Sequence, residues 1–506
     1  MYLVETIKAI MRDVGLFAEH AGHVTLRSYQ LPVAQAIVES VVSKRGLTFV
    51  VMFPRQSGKN ELQGHVEAYL LMLTSQLHGE IVKASPTWQP QSLNAMRRLE
   101  RVLGENLLTK DRFRKREGRI FEVGEPGQPG ASRCYFFSGE PGANVVGATA
   151  KTLLQCDEAQ DVTPAKWDKD FAPMAASTNA TQVFWGTAWT SRTLLARELR
   201  AARDAEKRDG IRRTFVLTAD DVGAVVPAYK KFVAGQVAKL GRNHPLIRTQ
   251  YYSEEIDAEG GMFPPARRAL LQGQHAPQTA PQPGHLYALL IDVAGADEAA
   301  TQEVGELVKT GRDSTSLTVV EIDLATVADE LIAKPSYRIV ARRGWTNVPH
   351  RNLYGQLRAQ IDHWQPLYTV IDATGVGEGL ASFLVNAMPP GRLIPFVFSS
   401  VAKSQLGWDL IALVETGRLK DHNDADDADR AEFFRQLEFV TYEAREHNQL
   451  RWSVPDGARD PATGDLVHDD WVLSAALASV LDGQPWGQAK SAVVEAYDPL
   501  EEPSGW

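Results

Sequence analysis

Residues 47–60 read LTFVVMFPRQSGKN, and this stretch decides the fold. Leu47 to Phe53 is an apolar, β-branched run of the kind that forms a strand buried on both faces, and Pro54 ends it. A tight loop follows, and a helix is predicted from Glu61 to Leu73. Strand, glycine-containing loop and helix start are the parts an anion site needs: loop N–H groups and the positive helix end hold a phosphate, and Lys59 neutralises its outer oxygens. Arg55, Gln56, Ser57, Gly58, Lys59 and Asn60 are therefore the candidate nucleotide ligands. Phe53 stands where such loops usually begin with Gly, and Asn60 where Ser or Thr usually holds Mg²⁺; an Asn oxygen can coordinate directly or through water. Taken alone, the loop could equally be a surface Gly-Lys turn.

Working outward, short strands and helices alternate from Leu26 to about Pro227, the rhythm of a mostly parallel sheet. Strands are expected at Glu80 to Ala84, Thr152 to Cys156 and Thr181 to Trp185, with a helix over Gln91 to Leu103. Lys151 to Cys156 (KTLLQC) runs into Asp157-Glu158-Ala159-Gln160. Acids at the end of a buried strand can place Asp157 on a metal ion and Glu158 on an attacking water. Upstream, Gln30 can read an adenine edge with Tyr29 packed near the base. Downstream, Gly186-Thr187-Ala188 ends a strand, either as a plain strand-loop turn or where loss of a γ-phosphate can be sensed.

The second half has a different pattern. Tyr229 to Glu255 reads as helical and solvated, and the Pro-rich stretch after Glu259 as a linker. Strands are then expected at Leu286 to Val293, Ser316 to Ile322, Tyr337 to Arg343 and Tyr368 to Ile371, followed by a helix near Gly379 to Ala387. Leu289-Leu290-Ile291-Asp292 and Val370-Ile371-Asp372 each place a carboxylate at the end of an apolar strand, where burying charge is costly without a compensating cation. His468-Asp469-Asp470-Trp471 opens an apolar helix and adds a third acidic point. Such a trio can hold two divalent ions for phosphodiester hydrolysis; for each Asp singly, a helix cap or solvated strand end is the plain alternative. Asp313 reads as a turn residue or an extra ligand, and the acids Asp421, Asp424, Asp426, Asp427 and Asp429 as a solvated loop or helix start. Basic clusters at Arg97-Arg98, Arg112 to Arg119 and Arg200 to Arg213 can follow a phosphate backbone or face solvent.

Composition narrows the class. With 54 Lys and Arg against 63 Asp and Glu, the net charge of -9 excludes a uniformly basic DNA-coating protein, though not an enzyme that grips DNA locally. The two cysteines, Cys134 and Cys156, lack metal-ligand spacing and are expected in cores. No apolar run is long enough to span a membrane, and charges at Glu5 and Lys8 oppose a signal peptide, so a cytosolic protein is expected.

Taken together, Pro54 to Asn60, Gly139 to Gln160, Asp372-Ala373-Thr374-Gly375 and His468-Asp469-Asp470 resemble the large terminase subunit of tailed bacteriophages, from about Leu26 to about Leu481. The resemblance implies an α/β architecture of an N-terminal RecA-like (ASCE) P-loop ATPase domain and a C-terminal RNase H-like nuclease domain. The expected divisions are 1–227 for the ATPase, 228–258 for a helical lid, 259–285 for a linker, 286–484 for the nuclease and 485–506 for a mobile tail. It implies ATP-driven movement of double-stranded viral DNA into a procapsid and endonucleolytic cleavage of the concatemer. Lys59 in the Walker A loop would bind phosphates and Arg55 would stabilise charge. In Walker B, Asp157 would hold Mg²⁺ and Glu158 would orient water. Asp292, Asp372 and Asp469 or Asp470 would bind two Mg²⁺ or Mn²⁺. The implied partners are double-stranded DNA, a portal protein, a small terminase subunit and sister subunits in a ring, expected as a pentamer, in the host cytoplasm and transiently on the portal vertex, with no membrane role. One departure is Val146, where the family often carries Arg before the glycine, here Gly147. The competing readings are an ATP-dependent helicase or translocase without nuclease activity, which needs a second RecA-like sheet, and a non-catalytic assembly protein with relic motifs.

Overall fold

The computed structural model describes residues 2–125, 131–143, 145, 147–257, 259–294, 314–346, 348, 350–461 and 463–486. Asp313, Val146 and the expected tail from Gly487 lie outside them. The chain divides into two units, Met1–Met262 with Thr441–Ser453, and Phe263–Val440 with Val454–Trp506.

The first unit is built on eight strands: β1 (Thr48–Met52), β2 (Glu80–Ser85), β3 (Phe113–Arg116), β4 (Ile120–Val123), β5 (Ser132–Ser138), β6 (Leu153–Cys156), β7 (Thr181–Gly186) and β8 (Thr214–Val216). Their order is β3-β4-β5-β2-β6-β7-β1-β8. All neighbours from β5 to β8 run parallel. β3 and β4 add an antiparallel edge. Successive residues of β1 belong to opposite cores: Phe49 and Val51 to one, Val50 and Met52 to the other. Burial on both faces explains why LTFVVM shows no alternation. The decisive feature is β7, which stands between β1 and β6 as the additional strand of the ASCE type. The carboxyl ends of β1, β6 and β7 therefore lie side by side at one edge of the sheet, the usual position of a ligand crevice in parallel sheets.

After a short strand, β9 (Glu259–Gly261), the second unit has β10 (Leu286–Asp292), β11 (Thr315–Asp323), β12 (Ser336–Trp345), β13 (Tyr368–Asp372), β14 (Leu393–Phe396) and β15 (Leu419–Asp421). The order is β14-β13-β10-β11-β12-β15. β10, β11 and β12 form an antiparallel meander, and β13 and β14 return parallel beside β10. That is RNase H-like topology. Ile291, Val293, Ile371 and Ala373 face one apolar core. By strand alternation Asp292 and Asp372 point to the other face.

Three expectations change. The stretch 259–285 carries β9 and a helix, Pro265–Leu270, whose Arg267 pairs with Glu415 at 2.8 Å, so part of it is built structure. The hairpin of β16 (Thr441–Ala444) and β17 (Leu450–Ser453) pairs with β9 and belongs to the first unit, although the sequence around it belongs to the second. Asp421 is no loop acid: it is fully buried and meets buried Arg342 at 2.9 Å. Its partner is remote in sequence, so no local pattern exposes the pair. Of the basic cluster Arg112 to Arg119, the half-exposed Arg114 and Arg116 meet the buried Glu122 carboxylate, as does Arg133 from outside the cluster.

Candidate nucleotide and metal sites

In the first unit, the crevice at the carboxyl ends of β1, β6 and β7 is a cleft of about 570 Å³. Pro54, Arg55, Gln56, Gly58, Lys59 and Asn60 line it from one side, and Asp157, Glu158, Gln160, Asp161 and Thr187 from the other. The helix Lys59–Leu73 starts at the loop, with Gly58 in the left-handed region at φ 91°. A Cβ on Gly58 would also stand 2.7 Å from Gln30 Nε2, so conformation and space both require glycine here. The buried Ser57 hydroxyl donates to Pro54 O at 2.6 Å, tightening the loop from within.

Gln30 and Tyr29 brace this loop. Gln30 Nε2 donates to Gly58 O at 2.9 Å while its Oε1 accepts from Arg27 N. Tyr29 donates to Ser57 O at 2.7 Å and packs edge-on against Phe53. Both ends of the Gln30 amide are thus engaged with backbone, and Gln30 is not among the residues lining the cleft. Arg55 is exposed; its N–H donates to Gln250 O at 2.8 Å, and Tyr229 donates to Arg55 O at 2.9 Å. The expected helical segment, here Pro227–Leu240 and Pro245–Tyr252, is in this way bonded to the loop.

Lys59 Nζ donates to Glu158 Oε1 at 2.7 Å, and Asp157 Oδ1 lies 4.0 Å away. Glu158 adopts the left-handed conformation, φ 46°, a strained state for a residue with a Cβ. Its other oxygen accepts from Gln160 Nε2 at 2.8 Å, and Gln160 Oε1 accepts from Thr187 N at 3.1 Å. One hydrogen-bonded line thus joins the loop, the end of β6 and the end of β7. Gly186 makes room for it, because a Cβ there would stand 2.3 Å from Gln160 Oε1.

Behind Asp157 lies a buried network that sequence reading missed. Gln63 donates to Asp157 Oδ1 at 2.9 Å. Lys83 donates to Gln63 Oε1 at 2.5 Å and to Glu67 Oε1 at 2.8 Å. Burial opposes the charge of Asp157, but Lys83, Lys59 and Gln63 outweigh it and hold its carboxyl below the usual range. The available signal was a lysine inside the apolar strand EIVKAS, with Gln63 and Glu67 one helical turn apart. Lys83→Met is expected to cost about 3–5 kcal/mol, since it leaves Glu67 buried without its cation and Asp157 with Lys59 alone, and adding Glu67→Leu is expected to restore most of it. Urea unfolding checks this; a loss under about 1 kcal/mol would show the pair to be dispensable.

In the second unit, β10 and β13 pair through Ile291 and Ile371, so Asp292 and Asp372 follow side by side. Asp372 Oδ1 accepts from Thr374 N at 2.8 Å. Asp470 opens the helix Asp470–Ala476, which is fastened to β11: Ser316 donates to Asp470 O at 2.7 Å, and Ser314 N to Asp470 Oδ2 at 3.0 Å. Asp469 Oδ2 lies 3.9 Å from Lys403 Nζ. Burial, then Asp470, Asp372 and Asp469, push Asp292 well above the ordinary carboxylate value, and Lys403 opposes them. Three acids therefore act on Asp292. Among the described residues, no group of three or more His, Cys, Asp or Glu side chains stands close enough together to hold a metal ion. Buried, oxygen-only donors suit Mg²⁺ or Mn²⁺.

The fold and these sites define a two-unit α/β protein with a P-loop-like anion cleft in one unit and a carboxylate cluster on an RNase H-like sheet in the other. Comparison with protein-family models and with curated proteins gives no match. Among solved structures the chain is similar to the large terminase of a thermophilic bacteriophage, at 14% identity over 89% of this chain and 98% of that one, with a TM-score of 0.46. The HK97 bacteriophage large terminase gives 12% identity over 93% and 99%, with a TM-score of 0.40. The magnesium-bound large terminase nuclease of the thermophilic phage G20c gives 19% identity over 44% of this chain and 96% of that one, with a TM-score of 0.30. Likeness at these values carries no argument about activity, which rests on the chain's own residues. Among the described residues, no helix is long and apolar enough to cross a membrane.

Proposed function

We propose that this chain is the large subunit of a phage terminase, a motor that moves double-stranded DNA into a procapsid at the expense of ATP and cuts the concatemer with a metal-dependent nuclease. The observation that carries the reading is the presence, in one chain, of the Lys59–Glu158 pair beside Asp157 and of the Asp292, Asp372 and Asp470 cluster on the second sheet. A helicase calls for a second parallel nucleotide-type sheet, and the mixed order of β10 to β15 speaks against it.

In this reading ATP enters the cleft between Arg55 to Asn60 and Asp157, with Gln30 and Tyr29 holding the loop in place. The triphosphate takes Lys59 from Glu158, and the freed carboxylate orients water. Asp157 and Asn60 would hold Mg²⁺, and Arg55 stabilises charge at the loop. The line through Gln160 to Thr187 reports the γ-phosphate, and the bonds of Arg55 to Tyr229 and Gln250 carry the change into the helical segment. In the second unit Asp292, Asp372 and Asp470 would hold the nuclease ions, with Asp469 toward Lys403. Those ions would activate water and stabilise the leaving oxygen. Portal protein, small terminase subunit and a pentameric ring of sister chains are the partners this function requires, in the host cytoplasm and then on the portal vertex.

The test pairs two assays on the full chain: ATP hydrolysis with linear double-stranded DNA, and nicking of supercoiled plasmid with Mn²⁺ or Mg²⁺. Chelation by EDTA is expected to abolish nicking completely. Plasmid that stays intact at every metal concentration, together with no ATP turnover, would overturn the proposal.

A further inference from the structure

The hairpin of β16 and β17 brings a residue of the C-terminal half of the sequence to the nucleotide cleft. Asn448, at its tip, lines the cleft together with Asp161, Thr187, Ala188 and Trp189. The tip is held there by the loop that follows β7. Trp189 Nε1 donates to Arg445 O at 3.1 Å, and Trp189 O accepts from Ile256 N at 3.0 Å. Ile256 leads into β9, which pairs with β16 from Glu259 to Gly261. The hairpin is therefore fastened at its strand and at its tip. His447 and Asn448 both take the left-handed conformation, φ 57° and 59°, and so turn the chain sharply at this point. Burial and the nearby Glu158 push Asp161 up to about 6, and His447 opposes them, which places the tip within electrostatic reach of the end of the cleft where Glu158 sits.

Resting on the nucleotide-site reading, we propose that Asn448 is a γ-phosphate ligand supplied in cis by this hairpin. Asn448 lines the same cleft as Asp161 and Thr187, which follow β6 and β7, and its amide is an uncharged donor. Discrimination between ATP and ADP then depends in part on a residue whose flanking chain, before Thr441 and after Ser453, continues into the second unit.

The experiment is calorimetric titration of the full chain with ATPγS and with ADP, each with Mg²⁺. Asn448→Gly removes the amide and adopts the observed φ without strain. It is expected to weaken ATPγS about tenfold while ADP changes less than twofold, the loss of one hydrogen bond to a charged group. Asn448→Asp keeps the side-chain size and sets a carboxylate toward the γ-phosphate; it is expected to weaken ATPγS further, again sparing ADP. Should the glycine variant fail to fold, the aspartate variant gives the same comparison. An unchanged ATPγS to ADP ratio in both variants, in a wild type that binds both nucleotides, overturns the role of Asn448 alone. A wild type that binds neither nucleotide overturns the nucleotide-site reading and this inference with it.

Discussion

Glu158→Gln is expected to lower ATP turnover about 10²- to 10⁴-fold, the range associated with loss of a positioned general base. Nucleotide binding is expected to persist and to tighten. The reason lies in what Glu158 does before nucleotide arrives: its carboxylate holds Lys59 at 2.7 Å, and that pair must open before Lys59 can meet a phosphate. Glutamine removes the competing charge and leaves the ammonium available. The amide can still meet Gln160, so the line to Thr187 is kept. Single-turnover hydrolysis and ATPγS titration measure the two effects separately. A turnover number within threefold of wild type would remove Glu158 from the chemistry. Plasmid nicking by the same variant is expected to be unchanged, since the Asp292 cluster belongs to the other unit.

Asp372→Asn is expected to reduce plasmid cleavage at least about hundredfold, an amount consistent with losing an anionic ligand of a catalytic ion. ATP turnover should stay within twofold of wild type. The same substitution is expected to raise thermal stability in the absence of divalent ions. Asp372 is one of the three acids whose charge acts on the buried Asp292, and asparagine relieves that repulsion while remaining able to accept from Thr374 N. Adding Mn²⁺ should raise the melting temperature of the wild type, because a ligand bound only by the folded state stabilises it, and should raise that of the variant much less. Thermal melts with and without Mn²⁺, run beside the nicking assay, read both outcomes. A variant that cuts as well as wild type would make Asp372 a structural strand end.

Much of the architecture was legible in the residues because strand and helix periods are local. The run into Pro54, the acids after Cys156 and the two strands ending in Asp292 and Asp372 each mark an element and its end, and the elements lie close to where they were expected. Cys134 and Cys156 are both buried, as expected of small core residues. The linker was harder to read. Proline punctuation marks Glu259 to Gly284, but β9 forms only because β16 lies beside it, and β16 comes far later in the sequence. The expected solvation of Asp421 failed for the same reason, since Arg342 is brought to it by the pairing of β12 with β15.

The sequence by itself determined the element types, the chemical identity of the candidate loop residues and the acids that end buried strands, because backbone propensity and the cost of burying charge act over a few residues. The tertiary structure alone decided what those groups face. It placed β7 between β1 and β6, set Gln30 against Gly58, put Lys83 behind Asp157, and carried Asn448 to the cleft lined by Lys59 and Glu158. Each of these pairs residues from separate elements, and the geometry that joins them comes from sheet order and packing, which no short window of sequence contains.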